Sequence, residues 1–152
     1  MSVICSFFGH RHVSDTIRPL LYKEIERHII EKNVDTFYIG GYGDFDNMAS
    51  DVLKEMKEKY PHISISLILA YIPTGPDLRI KTHYDTLYPE GLEFAPKKYA
   101  ITYRNRWVAE TSDYMIAYVA LSSGGAYEAL KHAKRKNKIT INLAEEKFQS
   151  ID

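Results

Sequence analysis

The chain has 152 residues, 45% of them hydrophobic and 26% charged, which suits one globular domain with a sizeable core. Its 20 Lys plus Arg offset its 20 Asp plus Glu, and a formal net charge of zero argues against broad, unspecific nucleic-acid binding built on many phosphate contacts, although not against a local basic patch. A lone cysteine, Cys5, excludes an internal disulfide, and the lack of a signal-peptide pattern or a bilayer-long apolar run points to a cytoplasmic protein with no membrane partner.

Ser2 to Phe8 (SVICSFF) reads as the first strand, stopped by Gly9. Asp15 is the expected N-cap of a helix to about Lys32, whose apolar positions Ile17, Leu20, Leu21, Ile25 and Ile29 share one face. Pro19 falls in the first turn, where its missing N–H costs little. Thr36 to Ile39 is the second strand. Asp44 is the expected cap of the next helix, which carries the stripe Phe45, Met48, Val52, Met56 and Tyr60 and closes at Pro61. Ile63 to Leu69 (ISISLIL) alternates apolar with small polar residues and reads as a third strand, half-solvated or near an edge.

From Pro73 to Pro96 the pattern is irregular and rich in proline. It is expected to form a flap over residues 73–96, with a short helix near Asp77 to Tyr84 and a short strand at Thr86-Leu87. Lys97 to Thr111 returns to helix. Tyr114 to Val119 (YMIAYV) is a buried strand, an alanine-rich helix follows from Ala126 to about Lys136, and Lys138 to Asn142 (KITIN) is the last strand. Strands alternating with helices predict an α/β, Rossmann-like three-layer fold over residues 1–152, with a mostly parallel sheet and helices on both faces.

Three strand-to-helix turns carry small residues: Gly9-His10-Arg11, Gly40-Gly41-Tyr42-Gly43 and Ser122-Ser123-Gly124-Gly125. In a parallel sheet all three fall along the edge where such folds bind ligands. The bland reading of each is a tight turn. Two adjacent glycines and two serines exceed what a turn needs before Ala126, and the amides of Gly124, Gly125 and Ala126, with Tyr127 beyond them, open a helix whose dipole favours an anion. The hydroxyls of Ser122 and Ser123 add donors. Arg11 can fork two phosphate oxygens and His10 can donate or accept. Tyr42 could stack on a base, and Asp46 could accept from a ribose hydroxyl or lie solvated. Trp107 and Cys5 read as core. His10 and His12 lack a third ligand nearby, so no metal is expected.

GHR after the first strand, IGGYGDFD after the second, the RNRW segment before SD, and GGAYEALKHAKRKNKITINL together resemble the SLOG superfamily. That Rossmann-like group holds YpsA-like proteins, to whose branch the chain is similar, the DNA-processing protein A domain and the Lonely-guy phosphoribohydrolases. The resemblance implies a site for a nucleotide-derived ligand, with no certain cofactor. Arg104 matches the arginine of the Lonely-guy pattern, but Asn105 replaces its lysine. Gly125-Ala126 stands at its Gly-Thr, and its acidic position falls on Ala129. Glu128 is one residue early and would point to another side of the helix start. An enzyme of this kind, cleaving an N-glycosidic bond with Arg104 and Glu128 as catalytic groups, is therefore the alternative, and the favoured expectation is a binder or sensor of a phosphate-bearing nucleotide derivative. A DNA-associated role through Lys134 and Arg135 in the basic run KHAKRKNK ranks below the small molecule; a homo-oligomer is compatible with helix-covered faces.

Overall fold

The computed structural model of the chain describes residues 1–41, 43–70 and 85–145. The elements are β1 (Ile4–Gly9), α1 (Arg18–Glu31), β2 (Thr36–Ile39), α2 (Gly43–Lys59), β3 (Ser64–Ile68), β4 (Asp85–Leu87), α3 (Ala100–Thr111), β5 (Tyr114–Tyr118), α4 (Gly125–Arg135) and β6 (Ile139–Asn142). The strands form a six-stranded sheet in the order β4-β3-β2-β1-β5-β6, and every pairing is parallel. This is the Rossmann-like α/β architecture the alternation predicts.

The pleat explains the two faces. Cys5 and Phe7 of β1 join a core with Phe37 and the α1 and α2 residues Leu21, Ile25, Phe45, Val52 and Met56. Met115 and Ala117 of β5 turn to the other face and pack with Ala126, Leu130 and Ala133 of α4. Side chains one residue apart point to opposite faces, so a strand covered on both sides is buried along its length, the small polar Ser6 and Ser66 included. β3 follows the same rule. Its residues from Ile65 to Ile68 are all buried, so the half-solvated reading is corrected; the edge is β4, the short strand expected at Thr86-Leu87. The short helix expected at 77–84 lies outside the described residues.

Two caps differ from expectation. A 3-10 turn, Asp15–Ile17, precedes α1, and its N-cap is Ser14, whose Oγ accepts from Thr16 N, not Asp15. Asp44 lies inside the first turn of α2, and its Oδ2 accepts from Val13 N at 3.2 Å. The carboxylate is thus a strut between the first and second turns. At the other end of the sheet, Asp113 Oδ2 accepts from Ile4 N at 2.9 Å and anchors the start of β1 beside β5. The basic run ends α4 in a Schellman motif: Asn137 takes φ 61°, Asn137 N donates to Lys134 O, and Lys138 N donates to Ala133 O.

His28, on the buried face of α1, bonds the Glu24 carbonyl through Nδ1 at 2.8 Å, while its buried Nε2 has no hydrogen-bond partner among the described residues. Burial pushes its pKa below the ordinary value. The folded chain therefore binds that proton more weakly than the unfolded chain. Its contribution to stability is complete above the unfolded value of about 6.5 and is lost as the pH falls through and below it. Thermal unfolding at pH 7.5 and 5.0 is expected to show a lower Tm in acid, and a smaller drop in His28→Gln.

Candidate functional site

β1 is where the sheet changes direction. The chain leaves it through α1 to β2 on one side, and β5 returns to its other side. The ends of β1 and β5 are in register, Gly9 opposite Tyr118. Such a switch point opens a crevice beyond the carboxyl ends of the strands.

The loops at this crevice are fixed by side chains. His10 N donates to Tyr118 O at 3.3 Å, and His10 Nε2 accepts from Ala120 N at 2.9 Å and Leu121 N at 3.1 Å. From the other side Asn142 accepts from Val119 N and donates to Val119 O, each at 2.9 Å. His10, expected to meet the ligand, is thus engaged in holding the loop after β5. Sequence reasoning misses Asn142; its one signal there is a polar amide closing an apolar strand.

Beyond these ties, Ser122, Ser123 and Gly124 are exposed. Gly124 adopts φ 99°, ψ 173°, a conformation essentially confined to glycine, and a Cβ there would meet nothing within 4 Å. The N-cap of α4 is Gly124, which has no side chain to cap the helix. The Ala126 side chain is buried and that of Tyr127 half-buried, so what these residues offer a ligand is their amides. The adjoining groove between α3 and α4, about 380 Å³, is lined by Thr102, Asn105, Arg106, Gly125, Glu128 and His132, among others. A Cβ on Gly125 would stand 3.7 Å from Asn105 Nδ2.

The other glycines answer to packing. A Cβ on Gly9 would lie 2.3–2.5 Å from Cγ, Cδ2 and Cβ of Phe45. Gly9→Ala is expected to cost about 1–3 kcal/mol, because the Phe45 Cβ cannot rotate away, and chemical denaturation will measure it. Gly43 adopts φ 89°, a Cβ on it would stand 2.8 Å from the Arg11 Cα, and Asp44 N donates to Arg11 O at 2.7 Å. Gly41, at φ 79°, abuts Leu67. The Arg11 side chain is exposed, and Tyr42 lies outside the described residues.

Arg104 is 5% exposed and projects from α3 to the ends of the central strands. Its Nη1 donates to Gly40 O and Ile68 O, each at 3.2 Å, and its Nε to Asn105 Oδ1 at 3.1 Å. A Cβ on Gly40 would sit 3.2 Å from both Arg104 Nη1 and Asp46 Oδ2, so cation and carboxylate converge under this turn, and Asp46 is buried there. Glu128 instead lines the α3–α4 groove, where Arg104 is not among the lining residues; Asn105 stands between the two.

Among the described residues no helix is long and apolar enough to cross a membrane. The sequence matches no protein-family model and no curated protein. Solved structures do match. DNA processing protein A from Streptococcus pneumoniae superposes with TM-score 0.67 and 15% identity, over 91% of this chain and 49% of that one. The chain has the Rossmann-like fold of DNA processing protein A. The same protein from Helicobacter pylori, described for its single-stranded DNA binding mode, gives 0.63 and 19% over 91% of this chain and 63% of that one. The chain thus spans less than two thirds of either neighbour's length. At these identities the likeness concerns the fold.

Proposed function

We propose that this chain, acting as one Rossmann-like domain, binds the phosphodiester backbone of single-stranded DNA at the switch-point crevice. The observation that carries the reading is Gly124: a glycine-only conformation with open space before it, at a helix start whose N-cap has no side chain. Helix-start amides, which have no partner within the helix, and the dipole behind them suit a phosphate oxygen. The fold shared with a protein described as binding single-stranded DNA favours a polynucleotide over the free nucleotide derivative. Neutral net charge does not oppose this, because cations are placed locally: Lys131, Lys134 and Arg135 line a groove on α4, and Arg135 also reaches the α3–α4 groove.

Fluorescence anisotropy with a labelled thymidine oligonucleotide, repeated across salt concentrations, tests this. Log affinity should fall linearly with log salt, and the Lys134→Gln/Arg135→Gln double variant should flatten the slope by about 0.7 for each phosphate it no longer neutralises. A slope that is flat in the parent protein contradicts the proposal.

The second reading is a small nucleotide-derived ligand, favoured by a groove of about 380 Å³ beside the cradle. Calorimetric titration with NAD, ADP-ribose and cyclic nucleotides tests it. Glu128 on the wall of the same groove makes free-base release from a nucleoside monophosphate the assay for an N-glycosidase.

A further inference from the structure

Aromatic surface collects on one face of the molecule. Phe94 is 85% exposed, Tyr99 52% and Tyr103 37%. With Trp107 they line a groove of about 800 Å³ along the outer side of α3. Tyr99, Tyr103 and Trp107 are spaced four apart, so they form one stripe about 12 Å long.

Two of these rings are held in place. Tyr103 Oη donates to Glu90 O at 3.0 Å, and a Cβ on Gly91 would stand 2.8 Å from that oxygen. Trp107 stacks on Tyr38 with centroids 5.9 Å apart and planes at 17°. Fixed rings cost little entropy to use as a platform. Cations border them. Arg106 lines the groove, and Lys98 Nζ stands 5.0 Å from the centroid of Tyr99. The carboxylate on the wall, Glu110, is engaged by His132 Nε2 at 2.9 Å.

The groove adjoins the proposed phosphate site, because Thr102 and Arg106 line both it and the cleft at the start of α4. An occupant that satisfies both carries flat apolar faces linked to anions. We infer that the aromatic groove along α3 is a base-stacking platform for single-stranded nucleic acid whose backbone is held at the α4 N-terminus. This rests on the reading proposed above. Stacking is tolerant of sequence, since every base has a flat face, so little base preference is expected.

Trp107 is the sole tryptophan, and its fluorescence reports the groove directly. The full chain is titrated with a thymidine 12-mer and with an abasic 12-mer carrying the same number of phosphates. The inference predicts quenching of Trp107 by the thymidine strand alone, and affinity at least about tenfold above that of the abasic strand. The Phe94→Ala/Tyr99→Ala variant, altered at solvent-facing positions, should bind thymidine no better than the abasic strand. Equal binding of the two strands by the parent protein overturns the stacking platform and leaves the phosphate site standing. Failure of both strands to bind overturns the phosphate site as well. A variant that changes oligomeric state in sedimentation while keeping the tenfold preference makes the groove a contact between copies of this chain, and also overturns the inference.

Discussion

Replacement of Gly124 by valine should weaken the binding of single-stranded DNA at least about tenfold while the protein stays folded. The residue adopts φ 99°, ψ 173°, which costs a side-chain-bearing residue about 1–3 kcal/mol. No described atom lies within 4 Å of the new Cβ, so the Cβ itself meets no clash. The strain is relieved by movement of the exposed Ser122-Ser123-Gly124 loop, which takes the amides of Gly124 and Gly125 out of line. Tm is expected to change by only a few degrees, whereas affinity for a thymidine oligonucleotide drops at least about tenfold, the weight of one charge-assisted hydrogen bond of about 1.5–3 kcal/mol. A valine variant that binds like the parent would remove the cradle from the site. The contrast with Gly9→Ala is diagnostic, because that change should lower stability through Phe45.

Arg104→Ala should produce the largest loss of stability, about 3 kcal/mol or more. The guanidinium is buried and donates to the carbonyls of Gly40 and Ile68, at the ends of two neighbouring strands. Truncation leaves two strand-end carbonyls without these donors and a cavity in place of the side chain. It also takes the positive charge from beside the buried Asp46. Arg104→Lys keeps the charge but loses the Nε bond to Asn105 and the guanidinium plane that aims Nη1 at both carbonyls, so it should recover only part of the loss. Urea denaturation of the three proteins gives the ranking; an alanine variant as stable as the parent would show that the arginine does not hold the strand ends. Because Arg104 faces these carbonyls, its alanine variant should weaken binding through disorder of the β2 turn, and the loss should track stability.

How far the sequence can be read depends on the range of the interaction. Apolar runs such as YMIAYV and the stripe Phe45, Met48, Val52, Met56 encode their own period, and the helices and strands follow to within a few residues. Even Thr86-Leu87 forms the expected short strand. The order of the strands is a different matter. Nothing local states that β1 lies between β2 and β5, since the β1–β5 pairing joins residues more than 100 positions apart. The first cap differs by one residue because Ser14 and Asp15 are adjacent and both suited to capping.

The site is legible as a set of turns, not as roles. Gly9, Gly43 and Gly124 look alike in sequence, yet one admits a phenylalanine, one a neighbouring backbone, and one open space. His10 reads as a ligand donor until its Nε2 is found accepting two loop amides. Trp107 reads as core, and one face of it does stack on Tyr38, but it also lines the groove along α3. Asn142 offers no signal beyond its polarity. Each of these roles is set by a partner distant in sequence.

The most direct test of the phosphate site is amide NMR of the ¹⁵N-labelled chain titrated with a thymidine 12-mer and with its abasic counterpart. The largest shifts are expected at the amides of Gly124, Gly125 and Ala126 with either strand, and they should be absent in Gly124→Val. Shifts confined to Lys131 through Lys138, with the turn before α4 silent, would contradict the account and place binding on the basic helix end alone.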